Sequence, residues 1–277
     1  MLNVQRADLS EDPFPHVLKD GILEPGFYAD LKREFPGEAA FERMRNERNY
    51  LQAGGRRNLG KSDAGFEEFV AGSPAWRRLL GWIESPAFIR LNVDLFADLA
   101  RQRDCRFEFS RAQYSDHRPR RYPSIPERVA NKLRLGELWR GGKDRLNRAL
   151  HPDDLFVDFH FARGQAGYAR EIHTDNPHRF AVMLIYFCNK EEVGEGGELA
   201  LHKHRVDKPH AEYEQFPSEA DAPEFKLLGP ADNRGALFLN CHNAFHSVTP
   251  QRGAPGKFRN FIYVGVSARS NIWRVAS

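Results

Sequence analysis

Cysteine is scarce in this chain. Only Cys105, Cys188 and Cys241 occur among 277 residues, an odd number with no Cys-x-x-Cys spacing. A disulfide framework is therefore not expected, and the thiols suit a reduced, cytoplasmic protein. Apolar runs are short, and none approaches the length of a membrane span. The N-terminus lacks a basic start followed by an apolar core, so no signal peptide is expected. Excess charge is also lacking: 41 Lys and Arg stand against 38 Asp and Glu, a net charge of +3 that is too balanced to argue for nucleic acid. Internal repeats and low-complexity tracts are absent. No Gly-x-x-x-x-Gly-Lys-Ser/Thr, Gly-x-Gly-x-x-Gly between strand and helix, Gly-x-Ser-x-Gly or His-Glu-x-x-His occurs, so those nucleotide-binding, hydrolase and zinc-protease signatures have no foothold.

What is present is apolar material. Hydrophobic residues make up 41% and aromatics 12%, with 21 Phe, which is the composition of a folded chain with a substantial core. The length suits one large domain or two small ones. Residues 1–110 read as mainly helical. Pro25 opens and Pro36 follows a segment in which Phe27, Tyr28, Leu31 and Phe35 form one stripe. Helical spacing returns at Pro74-Ala-Trp76-Arg-Arg-Leu-Leu80 and at Phe88, Leu91, Leu95, Phe96 and Leu99.

The pattern changes at Asp153. Leu155-Phe-Val-Asp-Phe-His-Phe161 alternates at several positions, and Phe180-Ala-Val-Met-Leu-Ile-Tyr-Phe187 is a continuous apolar run of strand length. Segments 236–240 and 258–267 read as further strands, divided by turn clusters at 194–197, 229–230 and 253–256. The expectation is a helical region over 1–152 and a β-sandwich or barrel over 153–277, together forming one integrated domain. Between them, residues 111–150 carry 11 Lys or Arg against 4 Asp or Glu, with Tyr114, Tyr122 and Trp139 interspersed. A solvated helix pair and linker accounts for such a run. A basic rim that attracts an anionic substrate is the sharper reading.

The chemistry-bearing stretch is Tyr168-Ala-Arg-Glu-Ile-His173-Thr-Asp175, together with Phe245-His246-Ser-Val and Arg259 thirteen residues further on. His173 and Asp175 lie two apart in a strand-like run, so both side chains leave one face. His246 would have to join them from a neighbouring strand. Two imidazoles and a carboxylate on one side of a metal leave its other positions open, which suits oxygen-activating iron(II). The same set also holds catalytic zinc with water in the open position. His202 and His204 form a rival His-x-His pair of the cupin type, for which an exposed strand edge is the plainer account. His242, four residues before His246, is placed at the pocket mouth or in a loop. His178 and Arg179 lie just past the ligand pair, where a substrate could meet them, with a solvated turn as the default reading. Cys188 and Cys241 read as core residues.

The order of these words resembles the iron(II)- and 2-oxoglutarate-dependent oxygenases, in particular the prolyl-hydroxylase-like branch with its bacterial and phage members. The resemblance spans about 153–267 and includes the turn Gly196-Gly-Glu-Leu199, Leu184-Ile-Tyr186-Phe and Asn243-Ala-Phe-His246-Ser-Val. It implies a double-stranded β-helix, or jelly-roll, core with the N-terminal helical region packed outside. It implies His173, Asp175 and His246 as iron ligands and Arg259 as the clamp on the far carboxylate of 2-oxoglutarate. Ascorbate is a reductant the resemblance allows. One departure stands out: many relatives have a hydroxyl residue two after the clamp arginine, where this chain has Phe261. Tyr186 is the candidate to supply the missing hydroxyl, with plain core packing as its alternative, and Tyr168 is a weaker candidate. Retention of Asp175 argues against halogenation. The expected activity is hydroxylation of a small molecule or of an amino-acid or peptide side chain, with no membrane or nucleic-acid partner. The alternatives are a zinc hydrolase, for which Arg259 has no use, and a non-catalytic cupin-like binding module.

Overall fold

Alternation within one long strand organises the molecule. In the strand Asp154–Gly164, Val157, Phe159 and Phe161 are buried on one side, while Asp158 and His160 leave the other and are half-buried. The structure, a computed structural model, describes residues 2–43, 55–118, 132 and 135–273. Among these residues the strands are β1 (His16–Asp20), β2 (Arg56–Gly60), β3 (Gln113–Tyr114), β4 (Asp154–Gly164), β5 (Arg170–His173), β6 (Arg179–Tyr186), β7 (Leu199–His202), β8 (Glu224–Leu228), β9 (Arg234–Leu239), β10 (His246–Val248) and β11 (Arg259–Ala268). A seven-stranded sheet has the order β1-β9-β6-β11-β4-β2, with β3 added beside β4, and a four-stranded sheet has the order β5-β10-β7-β8. All the pairings are antiparallel except β3 with β4. Residues of both sheets line one cavity, an arrangement that fits a jelly-roll core.

The outer face of the large sheet is covered by helices. In chain order these are α1 (Pro25–Arg33), α2 (Glu38–Arg43), α3 (Phe66–Gly72), α4 (Pro74–Ile83) and α5 (Pro86–Arg101). Proline begins α1, α4 and α5, where its missing N–H costs nothing. Glu24 caps α1 by accepting from the N–H groups of Gly26 and Phe27. The buried stripes are Phe27, Tyr28 and Leu31 on α1, Trp76, Leu79, Leu80 and Ile83 on α4, and Phe88, Leu95, Phe96 and Leu99 on α5. Trp76 meets Phe161 edge to face at 4.6 Å, and Phe35 meets the same ring at 5.7 Å. Burying each such ring contributes about 1.5–3 kcal/mol. The β4 residues that contact helices thus alternate with those that contact the cavity.

Reading residues 1–110 as mainly helical misses β1 and β2. The sequence of β2, Arg-Arg-Asn-Leu-Gly, has no apolar alternation, and it is a strand because the exposed edge of β4 offers backbone partners from Gly164 to His160. β1 likewise takes the free edge of β9. Residues on both sides of position 153 therefore share one sheet and one core. Of the basic segment, residues 119–131, 133 and 134, Tyr122 included, lie outside the described residues. The part that follows forms α6 (Gly136–Leu150). No helix among the described residues is long and apolar enough to cross a membrane.

Candidate metal centre

β5 and β10 pair so that His173 lies directly opposite His246, with ring centroids 4.4 Å apart. Asp175 follows two residues after His173, just beyond the end of β5. One ligand atom from each of His173, Asp175 and His246 falls within 4.8 Å of the others, the single such group among the described residues. The histidines are prepared for ligation. His173 Nδ1 is 2.8 Å from the carbonyl of Glu171, and His246 Nδ1 is 3.0 Å from that of Ala244. A carbonyl only accepts, so each Nδ1 carries the proton and each Nε2 presents its lone pair. Burial, and then the neighbouring His246, push the His173 pKa down to about 3, so the ring is neutral near pH 7. Burial raises the Asp175 pKa, but Arg179, the two imidazoles and a hydrogen bond from Tyr263 outweigh it and hold the carboxyl ionised. Tyr263 Oη donates to Asp175 Oδ2 at 2.9 Å, leaving Oδ1 3.7 Å from His173 Nε2. Arg170 Nε reaches to 3.5 Å from that nitrogen, a long contact that a metal would replace.

The triad lines a cavity of about 450 Å³. On the opposite wall β11 lays Arg259, Phe261 and Tyr263 along the inner face. Arg259 is only 1% exposed, yet among the described residues only its Nη2 is partnered, donating to Tyr186 Oη at 2.8 Å, while Nε and Nη1 are buried with no partner among those residues. Its Cζ lies 4.2 Å from the centroid of the Phe261 ring and 4.9 Å from that of the Tyr186 ring. A buried cation with unused donors is costly unless an anion completes it. Space for Arg259 is kept by Gly197, whose φ of +77° suits glycine and whose added Cβ would lie 3.2 Å from Arg259 Cδ. Tyr168 is 3% exposed, lines the same cavity and accepts from Arg56 Nη1 at 3.4 Å. Phe261, two residues after Arg259, turns its ring to the cavity, and Tyr186 reaches Arg259 from the adjacent strand.

Several cavity residues escaped the sequence reading. Arg179 is not in a solvated turn, its default reading, but in the cavity, as the alternative of a substrate-facing position allows, and it lies between two carboxylates: Nη2 is 3.3 Å from Asp158 and Nη1 is 3.4 Å from Asp175. Its i, i+4 spacing from Asp175 was the available signal. Asp158 and His160 were visible as polar positions in an apolar strand, and they face the cavity. Arg56 and Asn58, contributed by β2, had no local signal at all. His202 is not at an exposed edge. It is 5% exposed, bonded through Nδ1 to the Ala222 carbonyl and through Nε2 to Ser247, so it is a satisfied core histidine. His204 packs against Tyr213. His242 lines a separate cavity of about 140 Å³ beside Trp273, and His178 pairs with Asp144 at 3.5 Å on α6. Cys188 and Cys241 are buried, and burial raises both thiols to about 12.

No family model matches the chain, and no curated protein matches it. Its neighbours among solved structures are prolyl 4-hydroxylases and Fe(II)/2-oxoglutarate-dependent dioxygenases. A prolyl 4-hydroxylase from Phytophthora capsici is 15% identical at a TM-score of 0.45, covering 91% of this chain; the chain spans only 58% of that protein's length. A Pseudomonas putida prolyl-4-hydroxylase is 14% identical at a TM-score of 0.43, covering 92% of this chain and 93% of its own. HygX from Streptomyces hygroscopicus, solved with nickel and 2-oxoglutarate bound, is 13% identical at a TM-score of 0.41, covering 94% and 85% respectively. Likeness at this level carries no weight for function, which rests on the geometry of the site.

Proposed function

We propose that this chain is an iron(II)- and 2-oxoglutarate-dependent oxygenase, built on a double-stranded β-helix core. The proposed reaction is hydroxylation of an unactivated C–H bond in a small molecule or in an amino-acid or peptide side chain. One observation carries the reading: a two-histidine, one-carboxylate cluster shares a cavity with a buried arginine whose Nε and Nη1 have no partner. His173, Asp175 and His246 would hold the metal by one side, and this donor set fits ferrous iron. Arg259 and Tyr186 would take the 5-carboxylate of 2-oxoglutarate, which completes the orphaned guanidinium with charge-assisted hydrogen bonds. Tyr168 is assigned to the same co-substrate. Bound iron and 2-oxoglutarate supply oxygen activation coupled to decarboxylation, giving succinate, CO₂ and a hydroxylated product. The protein's own contribution is orientation: Tyr263 and Arg179 fix Asp175, backbone carbonyls fix both imidazoles, and Val182, Leu184 and Phe238 give the cavity apolar walls.

A zinc hydrolase could use the same three ligands, but the dicarboxylate clamp favours the oxygenase. The test is anaerobic reconstitution with iron(II), followed by 2-oxoglutarate. A visible charge-transfer band is expected in the wild type before oxygen is admitted and succinate release once dioxygen is added, both lost in His173→Ala, Asp175→Ala and His246→Ala. Turnover of 2-oxoglutarate by a variant lacking all three ligands would sink the assignment. So would preferential zinc binding with no response to 2-oxoglutarate.

A further inference from the structure

Four guanidiniums line the cavity, Arg56, Arg170, Arg179 and Arg259, against two carboxylates, Asp158 and Asp175. Arg179 is held between both carboxylates. Arg259 is assigned to 2-oxoglutarate in the reading above, on which the present inference rests. A divalent ion and a dianionic co-substrate cancel each other's charge, so surplus positive charge remains for whatever else enters. Arg170 is exposed at the rim. Arg56 is half-buried, lines the cavity and pairs with no carboxylate among the described residues.

Arg56 is also held in a fixed pose. Its Nε donates to Asn58 Oδ1 at 2.7 Å and its Nη1 to Tyr168 Oη at 3.4 Å. Its guanidinium lies 5.1 Å from the Phe261 ring and 6.0 Å from the rings of Tyr168 and Tyr263. The strand register puts Arg56 opposite Gly164 and Gly164 opposite Arg259, so the two arginines share a row with no side chain between them, and Phe261 stacks with both. With Nε and one Nη1 hydrogen engaged, Nη2 makes no hydrogen bond among the described residues and Nη1 keeps a second hydrogen, so the guanidinium retains donors for the oxygens of a carboxylate. One guanidinium matches one negative charge. A cavity of about 450 Å³ is near the small end of ligand sites, which run from about 300 to 1,000 Å³, and it must also admit the co-substrate.

We propose that Arg56 is a specificity residue that receives a carboxylate of the substrate, and that the substrate is a small carboxylic acid such as a free or acylated amino acid. The charge that selects it comes from β2 inside the cavity, independently of the basic segment 111–150.

Calorimetric titration tests this on protein loaded with nickel(II) and 2-oxoglutarate. The probes are matched pairs: amino acids and N-acetyl amino acids against their primary amides. In the wild type, acids are expected to bind about ten- to hundred-fold more tightly than the amides, the scale of hydrogen bonds to a charged group. Arg56→Met should abolish that preference, Arg56→Lys should restore part of it, and in both variants any loss of 2-oxoglutarate affinity, through the Arg56–Tyr168 bond, should be smaller than the loss of acid preference. Equal response to acid and amide, including no response to either, overturns the proposal. So does an Arg56→Met variant whose main loss is 2-oxoglutarate affinity, which would make Arg56 part of the co-substrate site. Failure of the wild type to bind 2-oxoglutarate in the first titration counts instead against the oxygenase reading.

Discussion

A histidine ligates through one nitrogen, so what its other nitrogen touches decides how well it ligates. Here both Nδ1 atoms are tied to carbonyls two residues back, Glu171 and Ala244, a local arrangement that each strand end makes for itself. The carboxylate is oriented less locally, by Tyr263 from across the cavity. Tyr263→Phe should therefore weaken metal affinity by about 10- to 100-fold, the usual effect of losing a bond to a ligand, measured by competition with a chelator. Unchanged affinity would show that the phenol only packs. Arg259→Ala should raise the KM for 2-oxoglutarate on the order of 100-fold, because the co-substrate's charge is left buried and unpaired. Tyr186→Phe removes one charge-assisted bond and should raise it about ten-fold. Steady-state kinetics in 2-oxoglutarate separates the two, and an Arg259→Ala enzyme with wild-type KM would refute the clamp.

At the scale of elements, β4, β6 and β11 serve two masters. Phe159 and Phe161 pack against Trp76 and Phe66 on the helix side, while Asp158, Arg179 and Tyr263 build the cavity on the other. Gly265 sits where these roles meet, since a Cβ there would lie 2.6 Å from Arg179 Nε. Arg179 is pinned by Asp158 and Asp175 and cannot step aside freely. Gly265→Ala should thus lower metal affinity while leaving the midpoint of denaturant unfolding near that of the wild type; unchanged affinity would mean the clash is absorbed elsewhere. Trp76→Ala tests the other face. It empties a fully buried site against Phe161 and should cost about 3–5 kcal/mol in equilibrium unfolding.

For the whole molecule, the two sheets meet around the site, so ligands that bridge them should stabilise the fold. His173 and His246 belong to the small sheet, and Arg259 with Tyr186 to the large one. Metal and 2-oxoglutarate added together should raise the melting temperature, with a gain of about 2.7 kcal/mol at a hundred-fold excess over the dissociation constant. Chelation should reverse it, and His246→Ala should show no shift. A shift retained in that variant would place the binding elsewhere.

Local chemistry determined what the sequence could disclose by itself. Proline-led helices, the apolar runs that become β4, β6, β9 and β11, and the His-x-Asp word are all patterns over a few residues, where periodicity and side-chain type speak directly. The tertiary structure alone decided the rest. β2 has a single apolar side chain, Leu59, and becomes a strand only because β4 leaves an edge open, and with it come Arg56 and Asn58. His246 stands opposite His173 only through the pairing of β10 with β5, seventy-three residues apart in sequence. Arg179 is a surface-like residue in the sequence and a half-buried, cavity-lining one in the fold, because Gly265 on the neighbouring strand leaves room for it. Strand pairing depends on which backbone edges are free, and that is a property of the assembled sheet that no short stretch of chain contains.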